Sequence, residues 1–168
     1  ESIKRLYAFM GHHVIGDIHL GDWGTQIGMV LIALKELHPD WPYFTGTTFP
    51  QTSDLTFDEL QHIYPAISAR CKEDRALAEQ ARLATVELQQ GHPGYRALWR
   101  HIVDLSIQDM KTHFSQLNVH FDQWFGESRY QDQIPEVLEE LATQKLTHRD
   151  QGALIMPLTS DKDMPPLL

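Results

Sequence analysis

The stretch HLGDWGTQIG, from His19 to Gly28, constrains the fold of this chain more than any other. It places three glycines within ten residues, a density that favours a turn or loop over the interior of a helix or strand. A second dense segment, WFGESRY from Trp124 to Tyr130, follows roughly a hundred residues later, and most of the intervening sequence has helical periodicity. Two irregular segments carried by a helical frame suggest a site, because loops on rigid elements commonly carry function. Two tight turns with aromatic packing would explain the same composition.

Apolar residues at helical spacing predict helices over much of the chain. The predicted helices cover residues 2–10, 25–38, 57–64, 65–71, 74–91, 93–117 and 135–146. Thr56 and Glu59 form the T-x-x-E pattern of a capping box, and Asp74 suits the cap of the following helix. Pro65 suits the first turn of a separate short helix. The aromatic residues of the loop at 39–54 either pack against the core or meet a partner, and packing is the preferred interpretation.

Three β-rich segments, residues 12–20, 119–125 and 152–158, are predicted as strands. Strands that alternate with helices are typical of an α/β fold, here one that is rich in helix. The helices at about 57–117 would lie between the first two strands. At 168 residues the chain has the size of one domain with a full hydrophobic core.

Charge and composition limit the classes of partner. Fourteen basic and 23 acidic residues give a net charge of −9, which argues against a main nucleic-acid footprint on this surface. No run of apolar residues reaches the roughly 18 needed to span a membrane. The single cysteine, Cys71, excludes an internal disulfide and favours a reducing, cytoplasmic location. No metal site is predicted from His12, His13 and His19, because adjacent residues of a strand point to opposite faces.

Glu127 is the strongest candidate for a binding residue. It follows a glycine at the end of a predicted strand, where α/β folds place ligand-binding groups. Its carboxylate could cap the next turn, act as a general base or anchor a cationic substrate. Asp22 and Thr25 precede a helix, and either could cap its first turn. Trp23 suits buried packing better than ligand stacking, and Gln26 suits either a ligand contact or the first helical turn.

The same segments carry a family resemblance. HLGDWGTQIG, followed by MVLIALKE, resembles the GDWGTQFG segment of arginyl-tRNA synthetases, which are class I synthetases. The resemblance continues in collinear order through Lys72–Ser106, Trp124–Leu146 (WFGESRYQDQIPEVLEELATQKL) and Asp150–Leu158 (DQGALIMPL). It implies a Rossmann-type catalytic domain in which the helices at about 57–117 form an embedded helical segment.

The resemblance also implies an activity: activation of arginine with ATP and magnesium, followed by transfer of arginine to tRNA. Glu127 would lie in the arginine pocket, where a carboxylate matches the planar donors of a guanidinium. Tyr130 could shape the same pocket. Five residues would line or support the floor of the amino-acid and ATP pocket without a chemical step of their own: His19, Gly21, Asp22, Trp23 and Gln26.

Several features of the family are not present in these 168 residues. They include a HIGH-like element, a KMSKS-type loop, the downstream tyrosine and aspartate of the arginine pocket, and an anticodon-binding domain. Ile18 and Ile27 stand where the family commonly has asparagine and phenylalanine. We therefore expect residues 1–168 to be part of a catalytic domain that is inactive alone. The alternative is a non-catalytic helical interaction domain derived from this fold. A third hypothesis, a metal-dependent enzyme, is supported only by the ten histidines of the sequence.

Self-association of the isolated chain is also expected. Leu154–Leu158 and Leu167–Leu168 are apolar and would form an unpaired sheet edge.

Overall fold

The computed structural model describes residues 1–150 and 153–157, which form parts of two compact units, Glu1–Glu127 and Ser128–Leu168. The helices are α1 (Ser2–Phe9), α2 (Thr25–Leu37), α3 (Pro42–Thr45), α4 (Phe57–Glu73), α5 (Arg75–Gln89), α6 (Pro93–Gln116) and α7 (Ile134–Thr143). The strands are β1 (Asp17–Leu20), β2 (Gln123–Gly126), β3 (His148–Asp150) and β4 (Ala153–Ile155), and a 3-10 helix covers Glu127–Gln133.

β1 and β2 form a parallel pair, and the helices α2 to α6 make the connection between them. Both strands are shorter than predicted, and a side-chain and a backbone hydrogen bond join the two segments where the strands begin. The Asp122 carboxylate accepts the Gly16 amide at 2.7 Å, and the Asp122 amide donates to the Gly16 carbonyl at 2.8 Å. Parallel strands with a helical crossover confirm the predicted helix-rich α/β fold.

The hydrophobic core of the first unit lies among its helices. Its largest fully buried side chains are Leu31, Leu34, Ile67, Leu88 and Leu98. Helical spacing predicts an apolar stripe on α2 of Ile27, Val30, Leu31, Leu34 and Leu37, and all of them are buried except Leu37, which is 57% exposed.

α2 approaches α5 closely at Gly28. A side chain on Gly28 would overlap the Ala81 carbonyl oxygen and the Thr85 hydroxyl. This glycine therefore serves close packing between two helices.

Two predictions for the long helices are wrong. Residues 57–73 form the single helix α4 with Pro65 inside it. The helix continues because Ile63 and Ile67, on either side of Pro65, are both buried in the core, which offsets the lost backbone hydrogen bond. For α6 the apolar spacing predicts a face of Trp99, Val103, Met110, Phe114 and Leu117, but Leu117 is 72% exposed. The buried residues of this helix are Gly94, Tyr95, Leu98 and Ile102.

The helix caps follow the sequence pattern. Thr56 Oγ1 accepts the Glu59 amide at 3.2 Å, and Asp74 Oδ1 accepts the amides of Ala76 and Leu77 at 2.8 and 3.1 Å. Both predicted cap residues are confirmed, while the Glu59 carboxylate, the other member of the predicted capping box, lies 2.7 Å from His38 Nε2.

The aromatic loop packs against the core, which confirms the preferred interpretation. Tyr43, in the short helix α3, is 3% exposed, and Trp41 and Phe44 pack against the same cluster. Gly94 of α6 permits this approach, since a side chain there would overlap the Tyr43 carbonyl oxygen.

The second unit contains α7, with Pro135 in its first turn, and an antiparallel hairpin of β3 and β4. β4 overlaps the predicted strand at 152–158, whereas β3 was not predicted. Residues 151–152 and 158–168, including Leu158, Leu167 and Leu168 of the predicted apolar edge, lie outside the described residues. α7 ends before Leu146, because Lys145 adopts a positive φ of 56°.

Candidate functional site

The two irregular segments of the sequence begin at the same edge of the parallel pair. β1 and β2 are aligned with Leu20 opposite Gly126. Parallel strands point their carboxyl ends the same way, so Gly21 and Glu127 both follow strand ends at one edge. This is the edge at which α/β proteins bind ligands.

Asp22 and Gly126 are in close contact at this edge. Asp22 is 7% exposed, and a side chain on Gly126 would overlap its carboxyl group. A residue with a Cβ therefore does not fit at position 126 unless the Asp22 carboxylate moves. The contact holds a buried carboxylate against the backbone immediately before Glu127.

Trp23 is a packed residue of the core. Its ring meets the Trp99 ring edge-on, with centroids 5.1 Å apart and planes at 69°. The Arg96 guanidinium lies 4.5 Å from the centroid of the Trp23 ring, a distance at which cations are attracted to aromatic faces. With 5% of its surface exposed, Trp23 offers no open face for ligand stacking.

Two side chains, one from α5 and one from α6, bind the backbone of the GDWG segment, Gly21–Gly24. Trp99 Nε1 donates to the Asp22 carbonyl at 2.8 Å, and Gln89 Nε2 donates to the Trp23 carbonyl at 3.0 Å. Sequence reasoning missed both roles. Trp99 carried only the signal of an apolar helix face, and Gln89 carried none.

The start of α2 differs from both capping interpretations. Gly24 occupies the cap position and Thr25 is the first helical residue, while the Asp22 carboxyl lies against Gly126. Thr25 is therefore not the cap of this helix. The Gln26 side chain folds back over Gly24, with Oε1 2.6 Å from the position that a Cβ on Gly24 would occupy.

The remaining candidate residues lie along the same two segments. His19 is exposed on β1, with Nδ1 3.0 Å from Asp17 Oδ2. Glu127 is exposed at the start of the 3-10 helix that follows β2, and Tyr130, in the same 3-10 helix, is 37% exposed. The structure thus places Glu127 at a strand end, as its position in the sequence predicts.

A cavity of about 240 Å³ opens at the carboxyl end of β1. It is lined by Leu20, Gly21, Asp22, Ile27, Val103, Ser106 and Met110. A mostly apolar wall with a few polar groups is typical of small-molecule sites. Both the GDWG segment and helix α6 contribute to this wall.

Within residues 1–150 and 153–157, His, Cys, Asp and Glu side chains form no group of three or more that is placed to hold a metal ion. Across the same ranges, no helix combines the length and apolar character that crossing a membrane requires.

Parallel strands, a helical crossover and a polar cluster at the strand ends define an α/β domain of the Rossmann type. The sequence model of the family described as tRNA synthetases class I (R), catalytic domain, matches residues 1–167. The chain belongs to this family of arginyl-tRNA synthetase catalytic domains, and the resemblance stated from its motifs is confirmed.

Individual relatives agree with this assignment. An arginine–tRNA ligase of Agathobacter rectalis is 43% identical over 175 residues, covering 100% of this chain and 29% of the relative. The arginine–tRNA ligase of Alkaliphilus oremlandii is 44% identical over 174 residues, covering 100% of this chain and 30% of the relative. The chain thus spans 29–30% of the length of these curated relatives.

A solved structure has the same fold. The crystal structure of arginyl-tRNA synthetase from Plasmodium falciparum aligns with a TM-score of 0.70 and 23% identity. It covers 99% of this chain and 26% of the Plasmodium chain. The Rossmann-type class I fold predicted from the sequence is therefore confirmed.

Proposed function

We propose that this chain is part of an arginine–tRNA ligase, which activates arginine with ATP and transfers it to tRNA. Its family and the names of its relatives support the proposal. So does the meeting of Leu20 and Gly126 at one edge of the parallel pair, since α/β enzymes bind their substrates there.

Glu127 anchors the guanidinium of arginine in this proposal. The observation that carries it is the position of Glu127 directly after Gly126, whose backbone lies against the buried Asp22 carboxyl. The contact between Asp22 and Gly126 keeps the end of β2 in place. A carboxylate at this position can accept two parallel hydrogen bonds from a guanidinium. Tyr130 is proposed as a second substrate-binding residue. The supporting residues are His19, Gly21, Asp22, Trp23 and Gln26.

ATP is the nucleotide substrate in this proposal, with magnesium as its counterion, and the described residues offer no ligand set of their own for the metal. Activation depends mainly on positioning and on electrostatic stabilisation of the phosphates. Because the net charge is −9, we propose that tRNA is gripped mainly by other parts of the ligase. We propose the cytoplasm as the compartment of the ligase.

We further propose that a polypeptide of residues 1–168 is inactive alone, since the relatives are more than three times as long. Arginine-dependent ATP–pyrophosphate exchange above a blank, in a preparation free of host synthetase, would contradict this.

The same polypeptide is proposed to self-associate, because apolar side chains of α1 are open to solvent, with Ile3 73% and Phe9 90% exposed. Light scattering should rise with concentration, whereas a strict monomer throughout would contradict the proposal.

The test of the arginine site is Glu127→Gln in the full-length ligase. The variant keeps the shape of the side chain and removes its charge. Charged hydrogen bonds contribute about 1.5–3 kcal/mol, so we expect arginine affinity to fall by roughly ten- to a hundredfold. ATP affinity should change little. Separate titrations of arginine and ATP, together with a melting curve, measure these effects.

A matched control is Glu73→Gln, which changes an exposed glutamate at the end of α4 and should leave both affinities unchanged. If Glu127 only capped the following turn, its replacement would cost up to about 2 kcal/mol of stability. Arginine affinity would then be that of the wild type in the folded protein, and Glu127 would be removed from the site.

A further inference from the structure

Two consecutive peptide carbonyls of the GDWG segment accept hydrogen bonds from side chains far away in the sequence. The Asp22 carbonyl accepts from Trp99 Nε1 at 2.8 Å, across 77 positions. The Trp23 carbonyl accepts from Gln89 Nε2 at 3.0 Å, across 66 positions. The donors lie on two different helices, α6 and α5, so this backbone is held from two directions.

We propose that Gln89 and Trp99 are positioning residues for arginine binding. They hold the peptides of Asp22 and Trp23, and thereby fix the Asp22 carboxyl against Gly126, the residue before Glu127. Neither side chain is assigned a contact with substrate. The proposal rests on the arginine–tRNA ligase function argued above. It adds the residues that hold Glu127, the proposed arginine-binding residue, in position.

Both donors are themselves held in place. The Trp99 ring packs edge-on against Trp23, with the ring centroids 5.1 Å apart. The Arg96 guanidinium lies 4.5 Å from the Trp23 centroid and 6.0 Å from the Trp99 centroid. Arg96 also donates to the carbonyls of Leu88 and Gln89 at 2.7 and 3.1 Å. The arginine thus ties the end of α5 to both tryptophans, so the donors are pre-organised rather than recruited.

The contact at Gly126 transmits a displacement of this backbone to the arginine anchor. Asp22 is 7% exposed and its carboxyl touches the Gly126 backbone, so little space is available for it to move independently. Misplacing a binding group by even about 1 Å can cost a large factor in activity. Asp22 also lines the cavity at the end of β1 together with Val103 and Met110 of α6. Because Gly126 directly precedes Glu127, the proposed arginine anchor, losing either donor should weaken arginine binding more than ATP binding.

The experiment uses the full-length ligase with Trp99→Phe and Gln89→Met. Phenylalanine keeps an aromatic ring against Trp23 but lacks the Nε1 donor, and methionine keeps the length of glutamine without its amide. The matched control is Trp41→Phe. Trp41 stacks on His38, with the ring centroids 4.1 Å apart, just beyond the opposite end of α2. The Michaelis constants for arginine and for ATP are measured by ATP–pyrophosphate exchange, with a melting curve for each variant.

We expect each of the two variants to raise the KM for arginine about three- to tenfold and to keep the KM for ATP within about twofold. Trp41→Phe should lower the melting temperature and leave both constants unchanged. An arginine KM that stays within about twofold of wild type in Gln89→Met and in folded Trp99→Phe would overturn the inference. So would an equal rise in Trp41→Phe. If Trp99→Phe does not fold, Gln89→Met decides alone.

The two proposals fail in different ways. A wild-type protein whose ATP–pyrophosphate exchange does not depend on arginine would refute the proposed function. A wild-type protein with arginine-dependent exchange and unaffected variants would refute only the positioning role.

Discussion

Two regions of the first unit, a helical region of α2 to α6 and a strand-bearing region of α1, β1 and β2, are each stabilised by different interactions. Among the described residues, every buried apolar side chain lies between Trp23 and Ile102, whereas α1 buries no residue at all. The strand-bearing region instead combines polar contacts with a half-buried aromatic cluster of Phe114, Phe121 and Trp124, whose ring centroids lie 5.3–6.1 Å apart. Lys4 Nζ donates to Asp122 Oδ2 at 2.7 Å and to the His120 carbonyl at 2.9 Å.

This difference separates the source of stability from the place of the site. Apolar burial contributes most of the free energy of folding. Helices α2 to α6, which hold the buried core, should therefore unfold as one cooperative unit. The strand ends that carry Gly21 and Glu127 lie at the margin of that unit. Regions with few buried contacts open at lower free-energy cost, so we expect the strands and α1 to open more readily than the core helices.

The largest expected effect is the loss of a core side chain. Leu98 is 0% exposed, and Leu98→Ala should lower the free energy of unfolding by about 2–5 kcal/mol. Leu6 of α1 is 57% exposed, so Leu6→Ala should change it by no more than about 0.5 kcal/mol. Urea unfolding measures both. If both variants lost the same free energy of unfolding, the two regions would not differ in their source of stability.

A smaller effect is expected where two helices touch through a glycine. Gly28→Ala introduces a methyl group that overlaps the Ala81 carbonyl oxygen and the Thr85 hydroxyl. Overpacking of this kind costs about 1–3 kcal/mol. At Gly21, by contrast, an added Cβ meets no atom within 4 Å, and Gly21→Ala should stay within about 0.5 kcal/mol of wild type. If the same unfolding measurement finds Gly28→Ala neutral, α2 and α5 are not locked at this contact.

The sequence predicted the helical region well because its signals are local. Asp74 and Thr56 carry their capping information within a few residues, and the stripe of α2 repeats at helical spacing. The error at Pro65 has a tertiary cause, since the apolar face continues into the core on both sides of the proline. In α6 the stripe with Trp99 and Val103 lies beside the stripe with Leu98 and Ile102, and only packing decides that the second stripe is the buried one.

The site was predictable only in part. Glu127 could be placed at a strand end, because a glycine and a β-rich segment precede it. The family resemblance supplied its proposed partner, the arginine guanidinium. The hydrogen bonds of Gln89 and Trp99 could not be predicted, because side-chain contacts to a backbone 66 and 77 residues away leave no periodic pattern.

The smallest expected effect concerns the polar contacts of the strand-bearing region and their dependence on pH. The hydrogen bond from Lys4 and, next, that from the Gly16 amide hold the pKa of the Asp122 carboxyl below its ordinary value. The folded protein therefore binds a proton at Asp122 less readily than the unfolded chain does. The stabilisation is present above the ordinary aspartate pKa of about 3.9 and is lost as the pH falls through the lowered pKa of the folded state.

Asp122→Asn should therefore flatten the fall in stability on acidification between about pH 5 and pH 2. Lys4→Met should do the same, because it removes the main cause of the lowered pKa. Amide hydrogen exchange in α1 and β1, followed against pH, is the sensitive measurement, since Asp122 lies at the surface and the global change is small. Leu98→Ala should instead lower stability at every pH without changing the shape of the profile. Identical acid profiles in the wild type and in both polar variants would mean that the strand-bearing region does not depend on this contact.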